Sequence, residues 1–282
     1  MQKTGLVLEG GAMRGLFTSG VIDVMLEHHI KYDGMIGVSA GAAFGCNYKS
    51  LQIGRALRYC KRFAKEPRFC SLRSFLTTGD FFGGEFCYHT LPEKLDVFDT
   101  QAFAENPMEF TIVSTDIHTG KPVYHLCSEI NYDAYEWIRA SSSMPLASRI
   151  VTVDHIAMLD GGISDSIPLE YFENAGYKRN VVVLTQPEHY VKSPNSMMPL
   201  IKLKYRKYPK LIEAMQNRHI VYNQQVKYVA KAETEQRAFV IRPSETLPIR
   251  HMTHDPELMQ KVYDMGRETA LKALPQLLEF LK

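Results

Sequence analysis

Gly5-Leu-Val-Leu-Glu-Gly-Gly-Ala-Met-Arg-Gly15 and Gly34-Met-Ile-Gly-Val-Ser-Ala-Gly41 are the stretches that decide the fold. Each opens with a short apolar run, the signature of a buried strand, and each run ends in a turn of small residues. Helical patterns follow. From Arg14 to His28 the apolar Leu16, Phe17, Val21, Val24 and Met25 recur on one face. Ser39-Ala-Gly-Ala-Ala-Phe44 opens a second helix. Strand, turn, helix, repeated, is the start of a parallel sheet with helical crossovers, and so of an α/β fold.

Working outward, strands are expected at Phe110 to Ser114, Val123 to Leu126 and Arg179 to Thr185. Ile150 to Val153 and Ile156 to Leu159 read as paired strands turning at Asp154-His155. A helix is expected from Asp133 to Ser141. Phe63 to Tyr88 is irregular and rich in aromatics, which suit an acyl pocket, a cover or simply core. Beyond Pro187 the character changes. A polar linker with Pro194 and Pro199 leads to one long basic, Tyr-rich helix from about Leu200 to Ala232. Arg237 to Arg242 reads as a last strand, and Asp255 onward as a helix capped by Thr253 or Asp255. By composition the tail beyond residue 190 is either an annex or the last layer of the same domain.

Composition narrows the function. The 282 residues carry 33 basic and 31 acidic side chains, a net charge of +2, which offers no field for nucleic acid. The five Cys fall at no paired or zinc-ligand spacing, so reduced thiols in a cytosolic compartment are expected. Gln2, Lys3 and Thr4 precede only a brief apolar run before Glu9, unlike a signal peptide. No stretch reaches the ~18 apolar residues of a membrane span.

Three motifs bear chemistry. Gly37-Val-Ser-Ala-Gly41 is a G-x-S-x-G. A nucleophile elbow is a sharp strand-to-helix turn, and its crowding demands small neighbours of Ser39. The blander reading is a Ser that caps a helix, but the flanking strand and helix supply the context an elbow needs. Glu9-Gly-Gly-Ala-Met-Arg-Gly15 frees backbone N–H groups to face an anion, with Arg14 adding fixed positive charge. A nucleotide loop is the alternative, yet neither G-x-G-x-x-G nor a Gly-Lys-Ser/Thr ending is present. Leu159-Asp-Gly-Gly162 closes an apolar run; alone it reads most simply as an Asp-Gly turn.

Taken in order, the three motifs resemble the patatin-like phospholipase family, in particular its bacterial cytoplasmic branch. The family loop is usually three glycines, any residue, Arg and Gly. Here the third glycine is Ala12, and Glu9 stands where Asp is frequent. Arg139-Ala-Ser-Ser-Ser-Met-Pro145 and Ile163 to Pro168 are also similar to family segments, so the likeness runs from Gly5 to Ala175.

The resemblance implies a three-layer α/β/α fold with a mainly parallel central sheet. An acyl hydrolase domain over residues 1–190 would carry a mainly helical C-terminal extension, 191–282, packed on it. It implies Ser39 as nucleophile and Asp160 as its base, within the motif completed by Gly161 and Gly162. The N–H groups of Gly10, Gly11 and Ala12, helped by Arg14, would hold the oxyanion, and Gly37 and Gly41 would frame the elbow. No cofactor and no metal is called for. The expected partner is a lipid or other acyl ester. Lys202, Lys204, Arg206, Lys207 and Lys210, interleaved with Leu203, Tyr205 and Tyr208, are read either as a solvated charged face or as a peripheral contact with the inner membrane face. Oligomeric state is not legible.

Two alternatives stay open at this level. One is an α/β-hydrolase triad, with the histidine drawn from His189, His219, His251 or His254. The other is a binding module that holds an anion at its Gly loop without turnover.

Overall fold

A computed structural model describes residues 2–282. Strand β1 (Lys3–Leu8) leads through a 3₁₀ turn (Ala12–Arg14) into α1 (Gly15–Glu27), and β2 (Gly34–Val38) leads into α2 (Ala40–Lys49). Then come α3 (Arg55–Arg62), α4 (Leu72–Thr78), a π-helical segment (Phe86–Leu95) and α5 (Thr100–Glu105). Strands β3 (Glu109–Asp116) and β4 (Pro122–Leu126) precede α6 (Tyr132–Ser141), and the hairpin β5 (Val151–Val153) and β6 (Ile156–Asp160) precedes α7 (Leu169–Asn174). The chain ends with β7 (Tyr177–Val183), α8 (Met198–Lys204), α9 (Pro209–Thr234), β8 (Ala238–Ile241) and α10 (Pro256–Phe280).

All eight strands form one sheet in the order β5-β6-β3-β2-β1-β7-β8, with β4 also on β3. Pairings among β3, β2, β1, β7 and β8 are parallel; those of β4, β5 and β6 are antiparallel. The central strands are covered on both faces, which is why they read as unbroken apolar runs. Alternate side chains serve opposite layers. Leu6, Leu8 and Met35 pack with residues of α1, α2 and α10, whereas Val7, Ile36 and Val38 pack with residues of α7 and α9. This is the mainly parallel α/β/α architecture, with a helical C-terminal region.

The C-terminal region is joined to the sheet and to the helical layer. Strand β8 pairs in parallel with β7. Helix α10 meets α1 backbone to backbone. A methyl group on Gly20 would lie 2.1 Å from the Tyr263 carbonyl oxygen, and one on Gly266 would lie 2.1 Å from that of Phe17. Asp23 of α1 accepts from the Tyr263 hydroxyl at 2.7 Å, and Arg267 donates to both oxygens of Glu27. Asp255 caps α10, accepting from the Glu257 and Leu258 N–H groups, so Thr253 is not the cap.

One expectation is corrected. The single helix from Leu200 to Ala232 is two helices, α8 and α9, broken between Tyr205 and Tyr208. Pro209 is the cause. It has no N–H to donate, and its ring drives Tyr208 out of the helical region to φ −124°, ψ 71°. The basic run therefore shares no single helical face. Tyr205 turns inward, where its hydroxyl accepts from the Leu146 N–H at 3.2 Å, while Leu203 stays exposed.

Candidate active site

The register of β3 creates the site. On one edge of β3, β2 pairs as far as Val38 opposite Val113. At the next position β6 takes over, with Asp160 opposite Ser114. The other edge is occupied by β4, which pairs with both Val113 and Ser114. The end of β2 and the end of β6 thus abut along one edge of one strand, bringing Ser39 and Asp160 together. Ser141 bridges the join, accepting from the Ser39 N–H at 2.8 Å and donating to the Val113 carbonyl at 2.5 Å. Gly161 is demanded by the same crowding, because a side chain there would meet the Val113 oxygen at 2.1 Å.

Ser39 has φ 55° and ψ −122°, a left-handed geometry that a non-glycine residue adopts at a cost of about 1–3 kcal/mol. The strain is imposed by its neighbours. A methyl on Gly37 would strike the Ala42 backbone at 2.7 Å, and one on Gly41 would strike the Leu8 carbonyl oxygen at 2.3 Å. Both partners are buried, Ser39 at 8% exposure and Asp160 at 6%. The Asp160 carboxylate accepts the Gly162 N–H at 2.8 Å and lies beside the Ser39 hydroxyl. Burial raises its pKa above the ordinary aspartate value; Arg218, the Ser39 hydroxyl, the Gly162 N–H and Lys192 oppose the rise.

The loop after β1 lies against the elbow, and a methyl on Gly10 would sit 2.8 Å from the Ser39 β-carbon. Among the described residues, the N–H groups of Gly10, Gly11 and Ala12 donate to no other protein group. Ala12, the departure from the family pattern, has φ 48°, so its methyl group is held in the left-handed region. Glu9 ties the loop down. Its carboxylate accepts from the Thr185 N–H at 2.6 Å and from the Tyr222 hydroxyl at 2.7 Å. The Arg14 guanidinium donates to His251 Nε2 at 3.0 Å.

None of the histidines considered for a triad hydrogen-bonds Ser39 or Asp160 among the described residues. His254 is turned to the Ala64 carbonyl. His251 faces the site, but burial, then Arg14, Lys192 and Arg218, bring its pKa down to about 4. The Arg14 bond already occupies its Nε2.

Two cavities meet at Ser39. One is apolar, lined among others by Ala43, Phe44, Phe69, Phe82, Tyr88 and Leu91. Part of the aromatic stretch therefore forms its wall. The rest packs on itself, with Phe63 edge-on to Phe86 and Phe75 stacked on Phe81. The other cavity, about 640 Å³, is the more polar of the two and holds Glu9, Asp160, Arg14, Lys192, Arg218 and His251. Lys192, Arg218 and the role of Ser141 have no signal in the local sequence.

A family model described as patatin-like phospholipase matches residues 6–173. The chain belongs to this family. A second model, a domain of unknown function (DUF6363), matches residues 208–282. The uncharacterized protein YjjU of Escherichia coli K12 is 27% identical over 285 residues, spanning 94% of this chain and 75% of its own length. The lysophospholipase nte1 of Aspergillus oryzae is 28% identical over 182 residues, 62% of this chain; the match spans 11% of the fungal protein. Among solved structures, VipD from Legionella pneumophila aligns over 98% of this chain and 67% of its own, with a TM-score of 0.49 and 11% identity. No helix among the described residues is long and apolar enough to cross a membrane.

Proposed function

We propose that this patatin-like chain hydrolyses carboxylic esters of lipids through an acyl-enzyme formed on Ser39, with Asp160 as the base. The observation that carries the reading is the shared edge of β3, which sets a buried carboxylate against a hydroxyl on a strained elbow. Asp160 takes the Ser39 proton as Oγ attacks the ester carbonyl. The unengaged N–H groups of Gly10, Gly11 and Ala12 receive the developing oxyanion, with Arg14 contributing positive field; one such donor is typically worth about 3 kcal/mol. Asp160 returns the proton to the leaving alcohol. Water then attacks the acyl-enzyme with Asp160 again as base, releasing the acid. A raised carboxylate pKa makes the ionised form of Asp160 a stronger base than an exposed aspartate. The apolar cavity is suited to the acyl chain, and the polar one to the alcohol side.

The test is hydrolysis of a p-nitrophenyl acyl ester by wild type, Ser39→Ala and Asp160→Asn, with fluorophosphonate labelling in parallel. Labelling of wild type but not Ser39→Ala, with loss of turnover in both variants, is the expected result. Turnover that survives either substitution would overturn the corresponding assignment. A folded wild type that neither labels nor turns over would favour the binding module.

A further inference from the structure

The inward face of α9 changes character where it crosses the site. Leu211, Met215, Tyr222, Val229 and Ala232 are its buried residues, at helical spacing. On the same face Arg218, Tyr222 and Gln225 stand at i, i+4 and i+7, three polar side chains over about 10 Å of helix. A helix that only covers a sheet would carry apolar residues there, because a polar group taken out of water costs free energy unless it finds a partner. Each of the three finds one, and each partner lies on a loop that serves the reaction.

Tyr222 holds the first loop. Its hydroxyl donates to Glu9 at 2.7 Å, and Glu9 directly precedes Gly10, Gly11 and Ala12. The same carboxylate accepts the Thr185 N–H at 2.6 Å, and the Thr185 hydroxyl donates to the Gly10 carbonyl at 3.0 Å. Arg218 and Gln225 hold the second loop. Arg218 Nε donates to the Gly162 carbonyl at 2.5 Å, two residues past Asp160. Gln225 Oε1 accepts from the Ser166 and Ile167 N–H groups at 3.2 and 3.3 Å, and its Nε2 donates to Asp165 at 2.6 Å. Those two N–H groups have no backbone acceptor among the described residues, so Gln225 completes a turn that does not close on itself.

The two loops stand apart in the sheet. One follows β1 and the other follows β6, with β2 and β3 between them. Among the described residues no hydrogen bond joins one loop to the other; each is bonded instead to α9. We infer that α9 is the positioning strut of the active site: Tyr222 sets the oxyanion loop through Glu9, and Arg218 and Gln225 set the Asp160 turn, so that both keep a fixed place about Ser39. Proton transfer and oxyanion binding both depend on such placement to within a fraction of an ångström. The catalytic meaning of the strut rests on Ser39 and Asp160 being the reacting pair. It gives a task to a region matched by a domain of unknown function, and it extends the working catalyst beyond residues 6–173.

Two measurements on the full chain test the strut, with Gln225→Met and Tyr222→Phe as probes. Both preserve the shape of the side chain and remove its hydrogen bonds. Tyr228→Phe is the control, since the Tyr228 hydroxyl donates to Glu173 of α7, on neither loop. The first measurement is amide hydrogen exchange, which needs no turnover. Gln225→Met should speed exchange over residues 161–167 about tenfold, as one or two lost hydrogen bonds require, and Tyr222→Phe should do the same over residues 9–13, each leaving the other loop unchanged. The second is kcat for a p-nitrophenyl acyl ester, per site titrated to completion with a fluorophosphonate. Both probes should lose about 10²-fold in kcat with KM little changed, and Tyr228→Phe should match wild type. A role in stability alone would lower the number of titrated sites and leave the rate per site intact. Exchange that rises evenly over the protein, or not at all, would overturn the strut. Local loosening with an unchanged rate per site would overturn its catalytic role. Local loosening in a protein inert toward both the ester and the fluorophosphonate would sink the hydrolase reading instead, and leave α9 as the tie between the two loops.

Discussion

The two cavities that meet at Ser39 handle charge in opposite ways. In the apolar one the only charged lining residue among those described is Arg55, and it is fully occupied. Its guanidinium donates to the Asp96 carbonyl and to Asn47 Oδ1, and lies 3.2 Å from the Asp96 carboxylate. In the polar cavity Arg14, Lys192 and Arg218 make no close ion pair among the described residues, although the Glu9 and Asp160 carboxylates share the cavity and act on Lys192 through space. A buried pair is strongly destabilising to break, because removing one partner leaves the other charge uncompensated. The same contrast separates the α1–α10 seam, where Asp23 and Glu27 are matched by Tyr263 and Arg267, from the loop after β1, where N–H donors stand open.

The comparison can be broken or sharpened by substitution. The largest effect is expected at the junction of the cavities. Asp160→Asn should lower kcat by about 10⁴-fold with the protein still folded, since groups that act as a unit fail together. Circular dichroism alongside the rate would separate chemistry from folding. On the apolar side, Arg55→Met should leave the buried Asp96 carbonyl and Asn47 Oδ1 without their donor, while the Asp96 carboxylate keeps Arg58, and cost about 1–3 kcal/mol of stability in urea unfolding. If Arg55→Met costs stability while Lys192→Met does not, the distinction between a hydrogen-bonded charge and an unpaired one holds. Ala43→Phe, filling the apolar cavity, should reduce turnover of long-chain esters about tenfold relative to acetyl esters.

Smaller effects follow from charge and strain. Asp160 must be ionised to take a proton, so activity falls as pH drops through its raised pKa. Arg218 favours the ionised form; Arg218→Met should move the acid limb of kcat/KM to higher pH. An unmoved limb would mean that another group titrates. Ala12→Gly should relieve the left-handed backbone and change stability by no more than about 1 kcal/mol, because glycine also gains freedom in the unfolded chain.

Much of the fold is legible from periodicity alone. Leu6 to Leu8 and Met35 to Val38 read as buried strands and are buried on both faces. The hairpin at Asp154-His155 turns through two left-handed residues, φ 51° and 63°, a twist matched to a tight β-hairpin. The misread helix shows the limit of pattern. Apolar and Tyr residues keep their helical spacing across the break, and only Pro209 interrupts it.

By itself the sequence determined the local events: an apolar run, a glycine turn and a helix, then G-x-S-x-G and Asp-Gly-Gly in order. These depend on neighbours in the chain, whose steric demands are written in consecutive residues. Only the tertiary structure decided that β6 continues the edge β2 leaves on β3, and that Arg14 reaches His251 across 237 positions of sequence. Hydrogen bonds and Coulomb forces act through space, and no spacing along the chain records which charges fold to within reach of one another.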